Sequence, residues 1–212
     1  MKNEKIVIFG DSYSTYEGYL PKGQGTHYPS KDGTVDDVSK TWWGMIANET
    51  DSQIILNDSW AGTTICNTGY HGDCSKTSSF IFRLKNHIKN GFFEENKIDR
   101  VFVFGATNDS WTKNSSGSVM FGGWCEDDLK LILPGISYFM NLLVSQIGSQ
   151  KICFIINTDL RDEITEGIIE ICEHYNTDYV LLCDFEKDYS HPSFEGMKQI
   201  KNQILAKLDE KN

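Results

Sequence analysis

Five short apolar runs, at residues 5–10, 53–57, 100–105, 151–157 and 179–184, alternate with segments of helical spacing at 37–49, 78–90, 127–147, 162–175 and 193–208. Most of the apolar runs lack a polar residue at every second position, the pattern of parallel strands covered on both faces. Strand and helix in strict alternation require right-handed crossovers. The expected architecture is therefore an α/β, three-layer α/β/α sandwich around a five-stranded parallel sheet, with strand order 2-1-3-4-5. In such a sheet, ligands bind in loops at the carboxyl ends of the strands. Two long irregular stretches, 15–39 and 107–126, follow strand ends and are expected to wall the pocket. The 212 residues contain no Pro/Gly/Ser linker and no repeat of fixed period, so one domain spanning 1–212 is expected.

A formal net charge of -10, spread along the chain, opposes attraction to nucleic acid or anionic lipid. The polar start runs straight into Ile6-Val7-Ile8-Phe9, too short for a signal-peptide core, and no run approaches the roughly 20 apolar residues of a bilayer span. A cytoplasmic protein with no membrane insertion is expected, and nothing in the residues sets its oligomeric state. The six cysteines form no C-x-x-C pair and no zinc spacing, so no metal is expected and free thiols are the leading reading. Cys66 and Cys74 flank a Gly-rich loop, which leaves a pairing between them open.

Chemistry-bearing residues fall at four strand ends. The first strand closes on Gly10-Asp11-Ser12, which places a hydroxyl at the sheet edge. Ser59-Trp60-Ala61-Gly62-Thr63 follows the second strand and Gly105-Ala106-Thr107-Asn108 the third. Gly62 permits close backbone approach to a ligand, and the Asn108 amide is a donor. Asp188-Tyr189-Ser190-His191-Pro192-Ser193 precedes the last helix; Pro192 biases His191 toward extended geometry and Ser193 suits a helix cap. Taken singly, each segment reads more readily as a turn or a cap than as a catalytic group.

In order and spacing the four segments resemble the signature blocks of the SGNH, or GDSL-type, hydrolases, and the resemblance runs from Gly10 to His191. It implies a flavodoxin-like fold, no cofactor, and hydrolysis of a small-molecule ester. The implied roles are Ser12 as nucleophile, His191 as acid and base, and Asp188 as the residue that orients the histidine. The backbone N–H groups of Ser12 and Gly62 and the Asn108 amide form the implied oxyanion hole. No Gly-x-Ser-x-Gly elbow is present.

The aromatic side chains beside these blocks, Tyr13, Trp60 and Trp111, are candidate substrate contacts and lean the reading toward a carbohydrate acetylesterase. Thioesterase or lysophospholipase activity is the competing enzyme class, and a catalytically silent flavodoxin-like binding module the competing non-enzyme class. Of the other histidines, His27, His71, His87 and His174 read as surface or locally bonded groups, and Arg83 as part of a solvated helix face rather than of one turned toward the site.

Overall fold

The computed structural model describes residues 1–31 and 33–209. Five parallel strands form the central sheet: β1 Lys5–Gly10, β2 Gln53–Ser59, β3 Arg100–Phe104, β4 Ile152–Ile156 and β5 Asp178–Leu181. Their order is β2-β1-β3-β4-β5, the order expected above. The helices are α1 Trp42–Glu49, α2 Phe80–Lys89, α3 Phe92–Glu95, α4 Thr107–Trp111, α5 Ile132–Ile147, α6 Asp162–Tyr175 and α7 Phe194–Asp209.

Successive strand side chains point to opposite faces, and the two faces collect two cores. Ile6, Ile8, Phe102, Phe104, Cys153 and Ile155 pack with Trp42 and Ile46 of α1 and Met197, Ile200 and Ile204 of α7. Val7, Phe9, Val101, Val103, Phe154 and Ile156 pack with Phe80 and Leu84 of α2, Phe139 and Met140 of α5, and Ile164 and Ile168 of α6. Both faces of every central strand are buried, which is why their sequences do not alternate.

Helix starts follow local capping chemistry. Thr41 Oγ1 accepts from the Gly44 N–H at 3.0 Å, Ser79 Oγ from Phe82 at 3.1 Å and Ser193 Oγ from Gly196 at 3.1 Å. Strand ends depart from expectation where pairing decides. β2 runs on to Ser59 because Phe9 and Gly10 pair with Asp58 and Ser59, whereas β5 stops at Leu181 because its partner β4 ends at Ile156. The expected irregular stretch 107–126 opens with the short helix α4, whose low-propensity residues are held by tertiary bonds such as that from Asn157 Nδ2 to Thr107 Oγ1, 2.9 Å. All six cysteines are free thiols; the Cys66 Sγ donates to the Thr68 carbonyl instead of pairing with Cys74. No helix among the described residues is long and apolar enough to cross a membrane.

Candidate active site

The carboxyl end of β1 delivers Ser12 on a single 3-10 turn, Ser12–Ser14, capped by Asp11 Oδ1 on the Tyr13 N–H at 3.1 Å. Only glycine fits at position 10: a Cβ there would lie 2.8 Å from the Ser14 Cβ and closer still to the Ser59 hydroxyl. Ser14 is fixed from several sides. Its carbonyl accepts from Asn57 Nδ2 at 2.9 Å and Trp43 Nε1 at 3.0 Å, and its hydroxyl from Trp42 Nε1 at 3.2 Å.

His191 arrives from the opposite end of the chain on a two-residue antiparallel ladder in which it pairs with Asp188. Its Nε2 lies 2.8 Å from Ser12 Oγ. Two buried tyrosines fix the backbone on either side: Tyr13 donates to the Ser190 carbonyl at 2.5 Å and Tyr28 to the Pro192 carbonyl at 2.7 Å. With the Ser12 hydroxyl donating to Nε2, the tautomer carries its proton on Nδ1, which lies 3.0 Å from Ser190 Oγ. Burial, and secondarily the nearby His27, lower the His191 pKa to about 4, so the ring is neutral at neutral pH and Nε2 is unprotonated, with its lone pair toward Ser12.

The structure does not bring the Asp188 carboxylate to that ring. Asp188 Oδ2 accepts from Thr34 Oγ1 at 3.1 Å, while the His191 ring nitrogens meet Ser12 Oγ and Ser190 Oγ among the described residues. Asp-x-x-His spacing sets the two backbones opposite each other, but the carboxylate turns to a hydroxyl 154 residues away.

The other two blocks converge on the far side of Ser12. Gly62 has φ +76°, a left-handed conformation that favours glycine, and added Cβ volume there would meet nothing within 4 Å. Asn108 follows Ala106, itself left-handed at φ +70°, which swings the chain off β3. Its Nδ2 donates to the Thr63 carbonyl at 3.0 Å and reaches Asp11 Oδ2 at 3.4 Å, while its Oδ1 accepts from Tyr70 at 3.1 Å. The Ser12 and Gly62 backbone N–H groups have no acceptor among the described residues. Beneath them Asp11 is wholly buried, and desolvation raises its pKa to about 7; Asp109 is raised in the same way, while accepting from the Ile65 and Cys66 N–H groups.

The aromatic candidates separate. Trp60 lines a cavity of about 450 Å³ together with Gly62 and Tyr70. Trp111 is 45% exposed at the end of α4. Tyr13, by contrast, is fully buried edge-on to Phe104 and has no face to offer a substrate; its part is to hold Ser190.

Two residues that local sequence reading set aside belong to the site. Arg83 is buried on the α2 face that also carries Phe80 and Leu84. Its guanidinium donates to the carbonyls of Asp58 and Gly10 and to Thr63 Oγ1, pairs with Asp58 Oδ1 at 3.3 Å, and so ties the ends of β1 and β2 to the Gly62 loop. The helical spacing 80, 83, 84 was the available signal. His27 lies parallel to the His191 ring, with centroids 3.5 Å apart and planes at 12°. Nothing local to His27 announces that contact.

A parallel α/β sheet with a serine at the end of its first strand, bonded to a histidine just before its last helix, is the architecture of an ester hydrolase of the GDSL type. The sequence profile described as GDSL-like Lipase/Acylhydrolase matches residues 4–208, and the chain belongs to that family. Among solved structures, a candidate GDSL-like lipase from Bacteroides ovatus superposes with a TM-score of 0.89 at 35% identity, over 99% of this chain and 100% of that one. One from Bacteroides uniformis gives 0.88 at 34% identity, over 98% and 96%. An acetyl xylan esterase from the rumen bacterium Butyrivibrio proteoclasticus shares the fold, with a TM-score of 0.62 at 16% identity over 100% of this chain and 64% of that one. Among curated protein sequences none matches significantly.

Proposed function

We propose that the chain is a serine esterase that removes short acyl groups, acetyl foremost, from hydroxyls of a carbohydrate. The observation that carries the mechanism is the 2.8 Å contact between Ser12 Oγ and His191 Nε2. His191, neutral at working pH, takes the Ser12 proton on Nε2 as Oγ attacks the ester carbonyl, and keeps its Nδ1 proton directed at Ser190 Oγ. The oxygen that becomes negative is received by the Ser12 and Gly62 N–H groups and the Asn108 amide, for which Asn108 turns one N–H from its present acceptors. The Nε2 proton then passes to the departing alkoxide. Water, deprotonated by the same nitrogen, then attacks the acyl carbonyl, and as the bond to Ser12 Oγ breaks the Nε2 proton returns to Oγ, releasing the acid and restoring the enzyme.

The substrate class follows from the cavity beside Gly62. Its walls include Trp60, Tyr70, Gln24, Thr63, Asp73 and Ser78, and not one Leu, Ile, Val, Met or Phe. Aromatic faces interleaved with hydroxyl and carboxylate groups suit a sugar ring. A long acyl chain gains about 25 cal/mol per Å² of apolar surface that covers it, and the large apolar side chains lining this cavity are the two aromatic ones, Trp60 and Tyr70.

The test is a screen of acetylated sugars, acyl thioesters and lysophospholipids with Ser12→Ala as the blank. Acetylated sugars should turn over fastest, with no loss on adding a chelator. Preference for long acyl chains contradicts the carbohydrate reading, and turnover surviving in Ser12→Ala contradicts the mechanism.

A further inference from the structure

The imidazole of His191 needs something to fix its plane and its tautomer, and the residue whose sequence position suits that task is occupied elsewhere. Asp188 Oδ2 accepts from the Thr34 hydroxyl, and Thr34 Oγ1 in turn accepts from the Phe194 N–H at 2.8 Å. This chain of bonds ties the turn to the start of α7 and leaves the ring untouched. We propose that His27 and Ser190 are the positioning residues of the catalytic histidine, His27 by stacking on its face and Ser190 by accepting the Nδ1 proton. The inference rests on the serine-esterase reading above.

The geometry of His27 is over-determined. Its ring is wedged between the parallel face of His191 at 3.5 Å and the edge of Tyr28 at 4.6 Å, with planes at 89° to the latter. Its backbone N–H donates to Thr15 Oγ1 at 2.9 Å, and the same hydroxyl donates to the Ser12 carbonyl at 2.9 Å. The nucleophile's own backbone therefore sets the height of the ring that flanks the base. Tyr28, the next residue, anchors the Pro192 carbonyl from the same segment. A parallel stack blocks tilting of the imidazole out of the plane that aims Nε2 at Ser12, and a hydroxyl acceptor at Nδ1 selects the tautomer with Nε2 free to take the proton.

The groups facing His191 are His27 and Tyr28 from the long loop, Tyr13 from the turn after β1, and Asp188, Tyr189 and Ser190 from its own turn, with Lys31 lining the cavity shared by His27 and His191. Of these, the cover and nearby charge of His27 help hold the histidine's protonation to acidic pH. Removing His27 therefore opens the ring to water and raises the pH at which His191 protonates. That effect separates a positioning role from a purely structural one.

The experiment measures kcat and KM for p-nitrophenyl acetate from acid to neutral pH in the full chain, alongside thermal melting, for His27→Ala, His27→Phe, Ser190→Ala, Asp188→Asn and Ser12→Ala. His27→Ala should lower kcat about 10-fold with little change in KM, and move the acid limb of kcat/KM upward. His27→Phe, which keeps the flat face, should restore most of kcat. Ser190→Ala should cost about 10-fold in kcat, the worth of one hydrogen bond to a developing cation. Asp188→Asn should cost less than about 10-fold, against the roughly 10⁴-fold loss typical of a carboxylate that orients the base. Collapse of Asp188→Asn with near-normal His27 and Ser190 variants, or an unmoved acid limb in a folded His27→Ala, overturns the proposal. Activity persisting in Ser12→Ala instead removes the reading beneath it.

Discussion

The two turns that meet at the site are supported very differently. The nucleophile turn is closed in on all sides: Gly10 has no room for a Cβ, Asp11 and Ser14 are fully buried, and side chains from α1 and β2 hold the Ser14 carbonyl and hydroxyl. The base turn stands in solvent. Tyr189, at its tip, is 102% exposed with φ +60°, and apart from the Ser190 hydroxyl what holds His191 comes from outside: two tyrosine hydroxyls and the His27 ring. The contrast separates two tasks. The serine needs one fixed position, guaranteed by the sheet, whereas the histidine needs an orientation, which Tyr13 from the turn after β1, His27 and Tyr28 from the long loop, and Ser190 of its own turn supply.

Breaking the rigid side should have the largest effect. Arg83→Met leaves the buried Asp58 carboxylate without its guanidinium and frees the ends of β1 and β2, so unfolding free energy should drop by about 3–5 kcal/mol in denaturant titration. Asn108→Ala, on the same side, removes the amide that the proposed mechanism turns toward the oxyanion; turnover should fall by roughly 10²–10³-fold, read as kcat on p-nitrophenyl acetate in a protein that still melts cooperatively.

Asp11 sharpens the comparison through pH. Its folded pKa of about 7 lies above its unfolded value, so the native state binds the extra proton between about pH 4 and 7, and stability falls as pH rises through that window. Asp11→Asn removes the effect. The variant's stability relative to the parent should improve by on the order of 2–4 kcal/mol from pH 4 to pH 8 in parallel melts. The base turn should respond least in stability and more in rate: Tyr28→Phe orphans the Pro192 carbonyl at a cost of about 1–2 kcal/mol, with kcat falling further than the melting change alone accounts for.

Much of this molecule is legible in its residues because it is set locally. The run Ile6-Val7-Ile8-Phe9 names β1 since both sheet faces are covered, 162–175 shows its helical period, and Gly-Asp-Ser falls where a strand must end. What the sequence leaves open are partnerships made across the chain. Asp188 and His191 read as a pair from their spacing, yet their side chains part because Thr34 arrives from the far end. His27 offers no local periodicity or motif, and its role exists only once the loop 15–39 folds over the last turn. Arg83 reads as solvated by charge, while its neighbours Phe80 and Leu84 on the same face place it inside. Tyr13 reads as a candidate substrate contact beside the nucleophile, but the first residue after Ser12 turns down into the core.

The central claim, that Ser12 is a nucleophile activated by His191, is tested most directly by covalent labelling. The intact mass of the chain is followed during exposure to a small organophosphate, the adduct is located by peptide mapping, and the rate is compared with that of His191→Asn. The account predicts a single adduct on Ser12 and labelling at least about 10²-fold slower in the histidine variant, the contribution of a positioned general base. An adduct elsewhere, no adduct, or equal rates in the two proteins would contradict it.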